Sequence, residues 1–190
     1  MAEIGAGPGQ GLVLVDSLPL RWGPADPDTV AAEVLRHHDH NEEVLRVIAA
    51  LEETPAELGE EHQPLAQEMA RLDVKLNVLL GLVGQLLLVH FPLPPRRAVR
   101  LSPFGVEWAA DCGPQPGETG TIELWLSSRC PKPLVLAARA ESAADVDLAC
   151  RYAARFTLLT ESLRDRLEKI IFRHHRRSVA LTRRRTQSSE

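Results

Sequence analysis

The sequence predicts an α+β protein: two long helices, then a small antiparallel β unit, then a closing helix. Three observations predict this class. Leucines recur every seven residues from Leu65 to Leu86, the segment PLPP at residues 92–95 stops that pattern, and short alternating runs between Pro and Gly clusters follow it.

The first segment, GLVLVDSLPLRW at residues 11–22, reads as extended, because Leu12 and Leu14 and then Leu18, Leu20 and Trp22 alternate. Pro19 argues for an edge position there. WGPADPD is a turn-rich link, after which Asp28 or Thr29 can cap a helix from Val30 to about Glu53. The inward positions of that helix are Val30, Val34, His37, Asn41, Val44, Ile48 and Leu51. Two of them are polar, and a buried Asn at such a seam can set register or strand number.

The second helix starts at Pro64, a residue suited to the first helical position. Leu65, Met69, Leu72, Leu76, Leu79, Val83 and Leu86 follow in alternating steps of four and three. A sustained 3.5-residue period favours a left-handed supercoil with partner helices. Val74, Val78, Leu80, Leu82, Leu87 and Leu88 widen the stripe, which suits a bundle of more than two helices. Helix one can fold back on helix two as a hairpin, but its His37 and Asn41 favour contact with a second chain instead.

Beyond PLPP, the runs 98–111, 119–127, 133–141 and 147–158 read as strands of a small barrel or sandwich. A final helix runs from Leu159 to about Arg177, with Leu159, Leu163, Leu167, Ile170 and Ile171 on one face. The residues TRRRTQSSE read as frayed.

Composition narrows the function classes. The chain is 44% hydrophobic and 25% charged over 190 residues, within the range of folded soluble proteins. No apolar run reaches the roughly 18 residues of a membrane span, and the run from Val78 to Phe91 is broken by Gly81, Gly84, Gln85 and His90. MAEIGAGPGQG lacks the basic and apolar regions of a secretory signal. Cys112, Cys130 and Cys150 are scattered and form no CxxC pair, which fits a reducing cytoplasm. Charge is polarised: residues 1–95 hold 5 basic and 15 acidic residues (−10), and residues 151–190 hold 11 and 4 (+7).

Candidate chemistry is sparse. His37, His38, Asp39 and His40 lie close in sequence, but adjacent histidines diverge on a helix and no metal is expected. FRHHRRSVALTRRR is basic without interleaved stacking aromatics, so nucleic acid is a minor alternative. No GxSxG, P-loop or nucleophile–base pair occurs, and Ser102 reads as a turn hydroxyl, so the expectation is a noncatalytic protein.

The block RRAVRLSPFGVEWAA at residues 96–110 resembles the motif region of a PilZ domain. Ser102-Pro103-Phe104-Gly105 matches the SxxG of that family's [D/N]xSxxG signature, and Val106, Glu107 and Trp108 continue as a strand. The resemblance covers about residues 96–175. It implies a six-stranded β-barrel with a C-terminal helix, and reception of cyclic di-GMP. Two departures bear on that ligand. Arg100 stands where the family has Asp or Asn, and arginine can only donate hydrogen bonds. Arg96 and Arg100 make an RxxxR spacing, but Arg100 then serves in both motifs, and Arg71 and Lys75 read as a solvated helix face.

The resemblance therefore implies a degenerate site in which Arg96, Arg97, Arg100, Ser102 and Gly105 are the groups for a weak cyclic di-GMP ligand, with no other cofactor. Within the family the chain most resembles an atypical, tetrameric xanthomonad-type subgroup with heptad-repeat helices. That implies a homotetrameric cytoplasmic adaptor, with a protein partner in motility, type IV pilus or virulence signalling. The alternatives are a cyclic di-GMP receptor whose ligand rearranges the barrels, and nucleic-acid binding by the basic end. The expected organisation is an extended segment at 1–28 that can add a strand to the barrel, an oligomerisation module at 29–91, a barrel with its helix at 92–178, and a flexible basic tail at 179–190.

Overall fold

Alternation of apolar and polar residues builds six antiparallel strands that close on themselves in the order β1-β2-β3-β6-β5-β4. The structure, a computed structural model, describes residues 12–52, 63–90, 92–146 and 149–187. In chain order these form β1 (Leu14–Pro24), α1 (Pro27–Glu52), α2 (Gln63–His90), β2 (Arg96–Ser102), β3 (Gly105–Ala110), β4 (Thr119–Leu124), β5 (Leu134–Val146), β6 (Ala149–Phe156) and α3 (Glu161–Gln187).

β1 is not an edge. It pairs with β2 from Leu14↔Leu101 to Pro19↔Arg96, then with β4 from Leu20↔Leu124 to Pro24↔Gly120. Pro19 sits where the strand changes partner, a place where its missing N–H costs no regular ladder bond. The long helices α1 and α2 are thus an insertion between two neighbouring barrel strands. The apolar run 98–111 is a hairpin and not one strand: β2 and β3 join through Pro103 and Phe104, with Ser102 opposite Gly105. The inward residues Leu18, Leu101, Val106, Trp108, Ile122 and Leu136 fill the core. Trp108 lies between Trp22 and Tyr152, with ring centroids 6.1 and 5.8 Å away.

α1 starts one turn earlier than its sequence suggests. Pro27 opens it and Asp26 caps it, accepting hydrogen bonds from the Thr29 amide at 3.0 Å and hydroxyl at 2.6 Å. Its inward face is the one the sequence marks: Val30, Asn41, Val44 and Ile48 are buried. Among the described residues, the surface it meets is the chain's own barrel and α3 rather than α2. Asn41 is the reason the polar position is tolerated. Its Nδ2 donates to the Val135 carbonyl at 2.8 Å, and its Oδ1 accepts from the Val135 amide at 2.9 Å. β6 begins to pair with β5 only at Ala138, so Asn41 serves the edge of β5 that no strand covers. A nitrogen of His40 meets the Pro133 carbonyl at 2.9 Å, extending the same seam.

α3 packs Leu163, Leu167, Ile170 and Ile171 into the common core. It continues as helix to Gln187, through residues whose composition suggested a frayed tail. α2 is different in kind. Among the described residues it shares no extensive contact with α1, α3 or any strand.

Candidate functional site

Two places carry the features singled out from sequence: the face of α2 and the β2–β3 hairpin. On α2, Met69, Leu72, Leu76, Leu79, Val83 and Leu86 each keep between 53% and 63% of their surface exposed. Val74, Val78, Leu80 and Leu82 are exposed as well. The side chains of Leu65 and Leu88 lie outside the described residues. Folded soluble chains seldom expose a contiguous apolar stripe of this length.

One face of α2 touches the loop between β4 and β5. Gly84 is buried there, and a Cβ at this position would sit 3.8 Å from the Ser128 carbonyl. Asn77 accepts from Arg129 at 3.4 Å on the same side. At about 100° per residue these positions lie roughly 100–160° round the helix from Leu79 and Val83, so the heptad seam is turned away from the barrel. The role of Gly84 and Asn77 was not visible from sequence, because it depends on where the β4–β5 loop passes.

In the hairpin, Ser102 is buried, with 3% of its surface exposed. Its hydroxyl oxygen accepts from the amides of Phe104 at 3.2 Å and Gly105 at 3.1 Å, and the hydroxyl faces the Gly105 carbonyl at 3.1 Å. The SxxG spacing is what lets one hydroxyl close this tight turn. Arg100 lies opposite Glu107 in register and pairs with it at 3.4 Å on the outer face of the barrel. Arg96, four residues earlier, shares that outward side and donates to the Ser17 carbonyl. Arg97 points to the other side, reaching the Ala109 carbonyl at 3.4 Å beside a groove lined by Trp22 and Trp108. The structure thus gathers Arg100, Ser102 and Gly105 at one hairpin. Arg96 and Arg97 lie at the far end of β2, on opposite faces. The strand beside β2 is β1, which sets Leu14 opposite Leu101 and Val15 opposite Arg100.

The histidine cluster does not converge. His37 and His40 meet edge to face at 5.9 Å, and no group of three His, Cys, Asp or Glu gathers among the described residues. Burial raises the Cys130 thiol above its ordinary value, which keeps it protonated near neutral pH. Among the described residues no helix is long and apolar enough to cross a membrane.

A closed six-stranded barrel with an SxxG hairpin and a C-terminal helix defines a PilZ-type domain. The chain belongs to the atypical PilZ family: the family model described as "Atypical PilZ domain, cyclic di-GMP receptor" matches residues 45–184. Among solved structures it is similar to a pathogenic protein from Xanthomonas campestris, described as a tetrameric PilZ domain self-assembled through a helical bundle. That match has 28% identity, covers 90% of this chain and 92% of the other, and has a TM-score of 0.67. It is also similar to YcgR from Escherichia coli in complex with cyclic di-GMP, at 20% identity over 50% of this chain and 40% of that one, TM-score 0.40. The PilZ domain of YcgR with cyclic di-GMP matches at 19% identity over 46% and 76%, TM-score 0.38. No curated protein matches.

Proposed function

We propose that this chain is a noncatalytic cytoplasmic signalling adaptor that assembles through α2, as a tetramer, and presents several barrels to a protein partner. The observation that carries this reading is the uncovered seam of α2. Burying a large apolar side chain contributes about 1.5–3 kcal/mol, and these six are already about half covered, so about 5–9 kcal/mol per chain remains to be gained. Association itself costs about 4–15 kcal/mol, so a two-helix contact along the seam alone is marginal. Covering Val78, Leu80 and Leu82 as well requires further neighbours, which a four-helix bundle supplies. The Xanthomonas protein of matching length supports the same arrangement. Several barrels on one scaffold raise avidity for a clustered partner. The partner implied by the family resemblance belongs to motility, pilus or virulence signalling.

Cyclic di-GMP binding is weak or missing in this reading. Arg100 is held by Glu107, Ser102 spends its hydroxyl on its own turn, and Arg96 and Arg97 diverge. The alternative, a receptor whose ligand rearranges the barrels, is favoured by the family's description and by Arg96 and Arg100 sharing one outward face. Calorimetric titration with cyclic di-GMP separates the two. The adaptor reading expects no saturable heat in the micromolar range. Micromolar binding that is lost in Arg96→Ala/Arg100→Ala would establish the receptor and overturn the adaptor-only view. In parallel, Leu72→Asp/Leu79→Asp should reduce the assembly to a folded monomer, because α2 contributes little to the barrel's own packing.

A further inference from the structure

We propose that the groove between α1 and α3 is a binding site for a small phosphate-bearing dianion, held by Arg46, Lys169 and Arg173. The groove has a volume of about 480 Å³. That lies within the range of small-molecule sites and far exceeds a gap between packed helices. Its floor is apolar, from Leu45, Ala49 and Ile170, and its walls are cationic. It shares no residue with the β2–β3 hairpin or with the seam of α2.

The charges decide the ligand class. Arg166 also lines the groove, but it is spent on Glu42 at 3.3 Å, and Ser162 donates to the same carboxylate at 2.7 Å. Arg46, Lys169 and Arg173 form no salt bridge among the described residues. Asp165 is the one acidic side chain on the lining. Three cations less one carboxylate leave a local charge of +2, which a phosphomonoester or diphosphate neutralises and a single carboxylate does not. Arg173 is preset for the task. One of its guanidinium N–H groups donates to the Ala49 carbonyl at 3.1 Å, which fixes the planar fork at the groove wall. Arg46 comes from the other helix, so the grip depends on α1 and α3 being packed together. The apolar floor adds room for a small organic group beside the phosphate.

The test is calorimetric titration of the full chain with pyrophosphate, and in a second arm with a short DNA duplex. Saturable pyrophosphate binding is expected that weakens as salt rises. It should fall at least about tenfold in Arg46→Gln/Lys169→Gln, a change that removes two charge-assisted contacts. Arg21→Gln, an exposed arginine paired with Glu123 on the barrel, should leave it unchanged. Arg173→Gln should also weaken binding, but it removes the contact to Ala49, so the double variant carries the decision and its thermal melt confirms folding. The proposal is overturned by the absence of saturable pyrophosphate binding, by binding that the double variant retains, by equal loss in Arg21→Gln, or by binding of the duplex alone. None of these results bears on the assembly through α2.

Discussion

Asn41 offers the sharpest test of how α1 is fixed to the barrel. Asn41→Leu keeps the branching and heavy-atom count of the side chain and removes both bonds to Val135. The site has 4% of its surface exposed, so water is a poor substitute. An amide and a carbonyl are then left unsatisfied at about 1–3 kcal/mol each, or about 2–6 kcal/mol together. With a urea m-value of roughly 2 kcal/mol/M, the midpoint falls by about 1–3 M. Asn41→Asp should cost as much, because its carboxylate faces the Val135 carbonyl. Urea denaturation followed by tryptophan fluorescence, with light scattering in parallel, is the assay. The expected pattern is lower stability at unchanged assembly. A loss below about 0.5 kcal/mol, the range of ordinary surface changes, would show that the two bonds do not anchor α1. A change of assembly at unchanged stability would return Asn41 to an inter-chain role.

Two further outcomes are expected. Ser102→Ala strips the hairpin of one buried hydroxyl and should lower stability by about 1–3 kcal/mol, with faster amide exchange at Phe104 and Gly105; unchanged exchange at both amides would refute the turn role. The Glu42 carboxyl is held below its ordinary value first by the Ser162 hydroxyl and then by Arg166. A depressed folded pKa stabilises the protein above the unfolded value of 4.5 and loses that contribution as pH falls through the lower folded value. Ser162→Ala should therefore flatten the stability–pH curve below pH 4.5, and a curve parallel to the parent's would show that the pair does not tie α1 to α3.

What could be read from the sequence follows the range of the interactions. The seam of α2 is written in its own periodicity, and so is the inward face of α1, where Val30, Asn41, Val44 and Ile48 are buried as expected. Periodicity marks a face but does not say what covers it. Asn41 reads as an inter-helix register residue until β5 is seen to start pairing with β6 only at Ala138. β1 reads as an edge strand because of Pro19, and its partners, β2 and β4, lie beyond an insertion of two long helices. The hairpin in 98–111 is hidden because Pro103 and Phe104 alone separate its strands. The basic end of α3 reads as a tail from composition, yet its backbone continues the helix that Leu163 and Ile170 anchor. The SxxG hairpin was visible as a family resemblance. The pairing of Arg100 with Glu107, and the divergence of Arg96 from Arg97, required the strand register. The cationic groove required α1 and α3 to be seen side by side.

The central claim is that the exposed seam of α2 is where copies of the chain meet. The most direct measurement is the molar mass in solution by light scattering across a range of protein concentrations. Four chains of 21.0 kDa give 4 × 21.0 = 84.0 kDa, and Leu72→Asp/Leu79→Asp should give 21.0 kDa with the barrel still folded. A parent that stays at 21.0 kDa at every concentration, or a double variant that keeps the parent's mass, would contradict the account.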